Sequence, residues 1–320
     1  MSEDNEADTT TSCASCGIAE IDDIKLKECD DCDLVKYCSD ECQRDHRSEH
    51  KEACKKRAAE LREELLFKQP ESSHIGDCPI CCVPLPLHLE KSLMFMCCNK
   101  VICGGCNHAN KIREYEMRVR QSSCPFCREP VPDTFEEGAK QRMKRVGANN
   151  PVALCQEGVI QGSKGEYSRA FEYCKKAADL GDVEAHYKLA YMYHDGQGVE
   201  QDKRKEIYHL EEAAIGGHPG ARHCLGLHEC DSANIERAVK HWIIAATQGE
   251  DDSLKPLMEA FKQGFVEKEV LSATLRAQKA AVDATKSPQR REAEEIQKKL
   301  RIQFGTVLTI NGSTNTDSNT

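Results

Sequence analysis

The residues of this chain best suited to chemistry are cysteines, which crowd the stretch between positions 78 and 127. Eight of them form four pairs: Cys78 and Cys81, Cys97 and Cys98, Cys103 and Cys106, Cys124 and Cys127. In three pairs two residues separate the cysteines, and a turn of that length brings two thiolates to one tetrahedral centre, which suits zinc. So many thiols in so short a stretch exceed what packing requires. The spacing therefore predicts two zinc sites with four ligands each.

This pattern resembles a RING finger, in which the first and third ligand pairs hold one zinc ion and the second and fourth hold the other. The resemblance implies two ligand sets: Cys78, Cys81, Cys103 and Cys106, and Cys97, Cys98, Cys124 and Cys127. The histidine usual in RINGs would fall near Lys100, and lysine does not ligate zinc readily. The adjacent pair Cys97 and Cys98 can supply both ligands, although adjacent ligands on one metal need an unusual local backbone. The alternative is that His88 or His108 supplies the missing ligand.

A second set of ligands lies between positions 13 and 54. It contains seven cysteines and one histidine: Cys13, Cys16, Cys29, Cys32, Cys38, Cys42, His50 and Cys54. The run Tyr37-Cys38-Ser39-x2-Cys42-Gln43, followed by His50-Lys51-x2-Cys54, resembles a MYND zinc finger. The resemblance pairs the ligands on two zinc ions, with Cys13, Cys16, Cys38 and Cys42 on one and Cys29, Cys32, His50 and Cys54 on the other.

Helical spacing accounts for part of the MYND-like pattern. Cys38 and Cys42 are four residues apart, as are His50 and Cys54, so each pair can face one side of a short helix. MYND fingers are protein-interaction modules that often bind proline-containing peptides in a shallow apolar groove. Arg47 stands where this family usually has tryptophan, which bears on peptide binding and not on the zinc sites.

Beyond the fingers, a recurring motif marks a helical repeat. Ala178-Asp179-Leu180-Gly181 returns 36 residues later as Ala214-Ile215-Gly216-Gly217, and 32 residues after that as Ala246-Thr247-Gln248-Gly249. These units resemble Sel-1-like repeats, which are relatives of the tetratricopeptide repeat. Such units bury their apolar faces by stacking into a solenoid. A fourth, degenerate unit is expected with its turn at Gly264-Phe265-Val266.

Several residues of ligating or aromatic type are interpreted as structural. Cys82 is expected to pack rather than to ligate, and His46 is expected to be a surface side chain. The tyrosines and the tryptophan of the repeats are expected in the core, as are four cysteines: Tyr187, Tyr191, Tyr193, Trp242, Cys155, Cys174, Cys224 and Cys230. Five histidines of the repeats lack ligand spacing and are interpreted as non-ligands: His209, His218, His223, His228 and His241.

The predicted fold class is small zinc-stapled α+β fingers followed by an all-α superhelical solenoid. Residues 55–69 read as an amphipathic helix that Pro70 ends, interpreted as a linker rather than a dimerising helix. The predicted division is an acidic disordered tail at 1–12, the MYND-type finger at 13–54, a helical linker at 55–76, the RING-type finger at 77–128, a linker at 129–149, the repeats at 150–285, and a charged helix with a disordered polar tail at 286–320.

Composition narrows the classes of function. Only 5% of the 320 residues are aromatic, so the small modules need bound metal to fold. The net charge of −10 disfavours non-specific binding to nucleic acid. The sequence shows no signal peptide and no apolar run long enough for a membrane span, so a cytoplasmic or nuclear protein with reduced thiols is expected.

The ligand count predicts four structural zinc ions per chain and no catalytic nucleophile. The RING resemblance implies ubiquitin ligase activity by positioning, with Ile80, Pro125 and Arg128 contacting a ubiquitin-conjugating enzyme. The MYND finger and the repeats would then recruit substrates. The alternative is a non-enzymatic adaptor built from three binding modules. The whole domain order resembles an uncharacterised family of multi-finger proteins found in microalgae.

Overall fold

The computed structural model describes residues 12–303 with the exception of Asp22, and helices dominate it. Its strands are β1 Lys27–Glu28, β2 Lys36–Tyr37, β3 Ser92–Phe95 and β4 Lys100–Cys103. Its α-helices are α1 Asp40–Phe67, α2 Gly104–Glu116, α3 Phe135–Gly147, α4 Pro151–Ser163, α5 Tyr167–Asp179, α6 Val183–Asp195, α7 Lys203–Ile215, α8 Pro219–Asp231, α9 Ile235–Thr247, α10 Leu254–Lys262, α11 Lys268–Ala284 and α12 Pro288–Gln303. The tails predicted to be disordered lie outside the described residues, apart from Ser12. The chain forms two compact units, Met1–Lys68 and Gln69–Thr320.

The first unit combines a two-stranded antiparallel ribbon, β1–β2, with the long helix α1. Ser39 caps α1, because its hydroxyl accepts a hydrogen bond from the Cys42 N–H. Buried cysteines make up most of the small core, together with Leu26 and Tyr37. The two helices expected here are one: the segment predicted as a separate helix at 55–69 is the second half of α1, which ends at Phe67.

The second unit begins with a second cysteine-rich module, which we define as residues 77–131. It contains the β3–β4 hairpin and α2, packed around Leu85, Phe95 and Ile102. Helix α2 starts at Gly104, directly after the hairpin. It starts there because the Cys103 sulfur caps it by accepting the N–H of Cys106.

Helix pairs form the repeats of the second unit. The pairs α4–α5, α6–α7 and α8–α9 are followed by α10–α11, whose turn contains the Gly264-Phe265-Val266 sequence expected for a fourth unit. Each recurring motif ends in a glycine with positive φ: 84° at Gly181, 86° at Gly217 and 95° at Gly249. Side chains rarely adopt that conformation, so the turn selects glycine at the same point of each unit.

Small residues allow the helices of a pair to approach each other. Ala177, Ala213 and Ala245 occupy matching positions in the three units, and all are fully buried. Trp242 is buried against Gly226, where a Cβ atom would overlap the indole ring. The expectation of a core position holds for Trp242 but not for every tyrosine, since Tyr191 is 43% exposed.

Of the other residues expected in the core, some are buried and some are only half-buried. Tyr193 is buried and Tyr187 is half-buried. Cys155 and Cys174 are buried as expected, whereas Cys224 and Cys230 are only half-buried. Buried thiols of this kind are packing residues.

Hydrogen bonds connect the second cysteine-rich module and the segment before it to the repeats. The His74 N–H donates to the Gly217 carbonyl at 3.2 Å, so the segment before the module lies on a repeat turn. The Asn99 amide donates to the Asn150 side chain at 2.5 Å, at the start of α4. No helix among the described residues has both the length and the apolar character needed to span a bilayer.

Candidate metal centres

Four groups of cysteine and histidine side chains converge in the structure. In each group the ligating atoms all lie within 4.8 Å of one another. The groups are Cys13, Cys16, Cys38 and Cys42; Cys29, Cys32, His50 and Cys54; Cys78, Cys81, Cys103 and Cys106; and Cys97, Cys98, Cys124 and Cys127. The structure thus brings together, in four separate places, the same sets that the sequence predicts.

The spacing of the sulfur atoms is close to that of a zinc tetrathiolate. The shortest sulfur–sulfur contacts in the groups are 3.3 Å to 3.8 Å long, and all ligating atoms of a group lie within 4.8 Å of one another. Four thiolates bound at about 2.3 Å would lie about 3.8 Å apart at the corners of a tetrahedron. The donor types and their spacing therefore fit a zinc ion in each group.

Three Cys-x2-Cys knuckles share one turn geometry. The residue after the second cysteine is left-handed in each: φ is 75° at Gly17, 51° at Cys82 and 60° at Arg128. Its N–H donates to the carbonyl of the first cysteine, at 2.8 to 3.0 Å. Cys82 is exposed, so its part in the fold is to complete this turn. Its exposure contradicts the expectation that it packs, whereas its place outside the four groups agrees with the expectation that it is not a ligand.

Backbone N–H groups point at the first sulfur of each knuckle. Burial by itself would raise the pKa of Cys13, but hydrogen bonds from nearby backbone N–H groups lower it to about 6. The pKa of Cys78 falls to about 7 and that of Cys124 is also lowered, for the same reason. The thiolate is the form that ligates metal. These turns therefore favour the ligating form of the first cysteine in each of the three knuckles.

The adjacent pair lies in the turn of the β3–β4 hairpin. Asn99 follows it with φ of 55°, and the N–H groups of Cys98 and Asn99 both donate to the Phe95 carbonyl, at 3.2 and 2.7 Å. This tight turn is the unusual backbone that adjacent ligands require. His88 and His108 lie outside the group.

Helix α1 carries three ligands of the first unit on one side. Cys42, His50 and Cys54 are spaced by eight and four residues along it. His50 is buried, with its Nε2 3.0 Å from the Cys32 sulfur. His46 lies outside the four groups and bonds through Nδ1 to the Tyr37 hydroxyl at 3.0 Å. It is half-buried there, so the expectation of a surface side chain is wrong.

A fifth convergence, of His74, Glu184 and His218, has donor types that metals accept, but the hydrogen bonds of His218 argue against ligation. The Nδ1 of His218 accepts the Ala221 N–H at 3.1 Å, so the ring proton sits on Nε2. That Nε2 lies 3.2 Å from the Glu184 carboxylate and donates to it. Burial would raise the pKa of Glu184, but the hydrogen bonds from His218 and His74 hold it far below its usual range. The cluster is a hydrogen-bonded ion group, consistent with reading His218 as a non-ligand.

The residues predicted to contact a partner lie at the surface of the second cysteine-rich module. Ile80 is 46% exposed, although it is apolar and sits between two predicted ligands. Pro125 and Arg128 are exposed in the last knuckle. None of the three is needed for the module's own core.

Sequence reasoning missed one residue beside these groups. Arg290 lies in the charged helix predicted after the repeats, and its guanidinium reaches the sulfur of Cys81. The contact spans 209 positions of sequence, so only the tertiary structure reveals it.

Comparison with known families supports two of the three predicted modules. Residues 13–54 match the MYND finger family, and residues 146–182, 183–218 and 220–250 match the Sel1 repeat family. The chain therefore contains a MYND finger, which implies zinc binding, followed by Sel1 repeats. Neither match covers the second cysteine-rich module.

Individual relatives resemble only parts of the chain. Chitin synthase regulator SKT5 of Saccharomyces cerevisiae is 30% identical over 99 residues, which span 29% of this chain and 14% of that protein. A Sel1 repeat protein from Oxalobacter formigenes has 20% identity and a TM-score of 0.42, covering 60% of this chain and 86% of its own. The protective antigen c5321 of uropathogenic Escherichia coli, with the same kind of repeat fold, has 20% identity and a TM-score of 0.38, covering 59% and 39%.

Proposed function

We propose that this protein is a zinc-stabilised adaptor that assembles other proteins through its MYND finger and its Sel1 repeats. The observation that carries this proposal is the combination of two kinds of interaction module in one chain. Each predicted metal group also offers four protein ligands, whereas catalytic zinc sites keep a position open for water or substrate. Metal in these groups would therefore hold the modules together and leave binding to their surfaces.

The proposal includes four structural zinc ions, one for each converging group. Two would lie in the MYND finger and two in the second cysteine-rich module. Thiolate ligands persist where thiols are kept reduced, so we place the protein in the cytoplasm or the nucleus.

We further propose that the MYND finger prefers acidic peptides. A cavity of about 900 Å³ opens beside α1. Arg44, Arg47, Lys51 and Lys55 line it from one face of the helix, at spacings of three, four and four residues. Asp30, Asp31 and Asp40 lie elsewhere along its lining. Arg47 is exposed at a position where this family usually has tryptophan. We therefore expect the affinity for the peptide to depend on charge rather than on aromatic packing.

Selection from a peptide display library tests the adaptor proposal. The whole chain is expected to enrich peptides with Asp and Glu beside proline, and binding should weaken as salt is added. Lys51→Glu should reduce the affinity about tenfold, since it replaces an attraction by a repulsion. Lys56→Glu makes the same change of charge on an exposed residue that does not line the cavity, and should leave the affinity unchanged.

Two outcomes would contradict this proposal. Enrichment of uncharged peptides that bind equally well to Lys51→Glu would exclude the basic face as the site. If no enriched peptide loses its binding when zinc is removed, the MYND finger is excluded as a peptide-binding module.

A second candidate function is RING-type ubiquitin ligase activity. The order of ligands in the second cysteine-rich module alternates between the two groups, as in RING fingers, and Ile80 is held at the surface between two of them. The arginine after the last ligand, Arg128, is exposed and its backbone is fixed by the knuckle turn. A ubiquitin-conjugating enzyme that covers these side chains would have its thioester held in position for transfer.

Discharge of ubiquitin from a panel of conjugating enzymes separates the two candidates. If the module is a ligase, the wild-type chain accelerates discharge, and Ile80→Ala or Arg128→Ala removes about 1–2 kcal/mol of binding, or roughly tenfold in rate. Arg120→Ala, an exposed residue of the same module, serves as the matched control. Zinc content should be equal in all four proteins, because none of these residues is a predicted ligand. If the chain accelerates ubiquitin discharge and only Ile80→Ala and Arg128→Ala lose this effect, the ligase proposal replaces the adaptor proposal. If discharge is not accelerated with any conjugating enzyme, the ligase proposal is excluded.

A further inference from the structure

The helix that follows the repeats is packed on the second cysteine-rich module. Helix α12 lies along α2, and the two backbones come close at Gly105. A Cβ atom at Gly105 would lie 2.8 Å from the backbone nitrogen of Arg290. Ala293 is buried one turn further along, and Lys91 pairs with Glu294 at 3.3 Å. The segment predicted as a charged helix after the repeats is thus packed on the module.

Arg290 is the polar anchor of this contact, and it is only 6% exposed. Its Nη1 donates to the carbonyls of Pro84 and Thr285, each at 2.6 Å. Its Nη2 donates to the Val83 carbonyl at 3.0 Å and lies 3.6 Å from the sulfur of Cys81. The planar guanidinium can satisfy several acceptors at once in a way that a lysine ammonium cannot.

The charges around Arg290 explain why a cation is buried there. No carboxylate is among its hydrogen-bond partners in the described part of the chain. A zinc ion bound by four thiolates carries a net charge of about −2, which a neighbouring guanidinium would offset.

We propose that Arg290 is an outer-sphere donor to the thiolate of Cys81, and that α12 is an integral part of the second cysteine-rich module. The inference rests on the zinc site proposed for Cys78, Cys81, Cys103 and Cys106. Outer-sphere partners orient metal ligands and adjust their electron donation, and their loss weakens metal affinity about 10–100-fold. The side of α2 that faces α12 is therefore closed to partners, which leaves the Ile80 and Arg128 surface for them.

The test compares Arg290→Met with Arg291→Met in the full chain. Arg291 is the next residue of the same helix and is exposed, so the two variants differ only in which arginine is lost. Zinc is first counted in the wild type, and a count below four would defeat the zinc proposal rather than this one. In Arg290→Met one zinc ion should pass to a competing chelator about 10–100 times faster than in wild type. Arg291→Met should release zinc at the wild-type rate.

Cobalt substitution adds a readout that packing alone would not change. A hydrogen bond to a thiolate lowers the energy of its sulfur electrons, so its loss should move the sulfur-to-cobalt absorption to longer wavelength in Arg290→Met. Arg290→Lys keeps the charge and should stay nearer to wild type in both measurements, and it remains informative if the methionine variant does not fold. Zinc release and absorption unchanged in Arg290→Met, or identical effects of the Met and Lys substitutions, would overturn the proposal.

Discussion

Removal of zinc by a strong chelator is expected to unfold the MYND finger and the second cysteine-rich module while the repeats stay helical. Each structural zinc site contributes on the order of 10 kcal/mol to folding in finger peptides. The cores of both modules consist largely of the cysteines themselves, with few apolar side chains around them. Without metal, the thiolates of a group would repel one another and take up protons, and the bonds that hold the distant segments of the module together would be lost.

The repeats have a separate source of stability. Their cores are built from alanine, leucine and aromatic side chains, and none of these is a predicted ligand. Circular dichroism should therefore lose the contribution of α1 and α2 on chelation and keep that of α4 to α11. Metal analysis of the untreated protein should find four zinc ions. About two ions, or complete loss of helical signal after chelation, would contradict the division between metal-dependent and metal-independent parts.

Cys98→Ser is expected to abolish zinc binding at one site of the second cysteine-rich module. The Cys98 sulfur lies 3.6 Å from that of Cys124, and the hairpin turn presents Cys97 and Cys98 to the same group. A serine hydroxyl is a much weaker zinc ligand than a thiolate, since it stays protonated near neutral pH. The expected zinc count falls from four to three, with a marked loss of stability in this module.

Cys82→Ser is the matched control, because it makes the same substitution at a neighbouring thiol. Cys82 is exposed and lies outside the four groups, so all four zinc ions should remain. Four ions in the Cys98→Ser protein would instead favour His88 or His108 as the fourth ligand. Loss of an ion in Cys82→Ser would show that the first knuckle uses a different cysteine from the one predicted.

The helical elements illustrate what local sequence can and cannot decide. The repeat motif that ends in Gly181, Gly217 and Gly249 predicts the turns, because a backbone with positive φ selects glycine wherever it occurs. The sequence predicts a boundary between the finger helix and the linker helix near residue 55, yet α1 runs without a break to Phe67. No residue between His50 and Phe67 is a helix breaker, so nothing local ends the helix earlier.

The types of the ligands and their grouping can be inferred from local sequence. Cysteine and histidine at short, regular spacing predict tetrahedral sites, and the resemblance to MYND and RING fingers pairs them in the combinations that converge in space. The prediction of the ligand groups succeeds because the geometry of each knuckle is local. Each turn is set by a few backbone hydrogen bonds within about six residues.

The distant segments that lie against these clusters are visible only in the folded protein. Arg290 reaches Cys81 across most of the second unit, and the Glu184 cluster draws in His74 from the segment before the module. Arginine and histidine in a charged sequence carry no sign of such burial. Their partners are backbone carbonyls, a sulfur and a carboxylate that come close only after the repeats have stacked, because packing rather than local spacing brings them there.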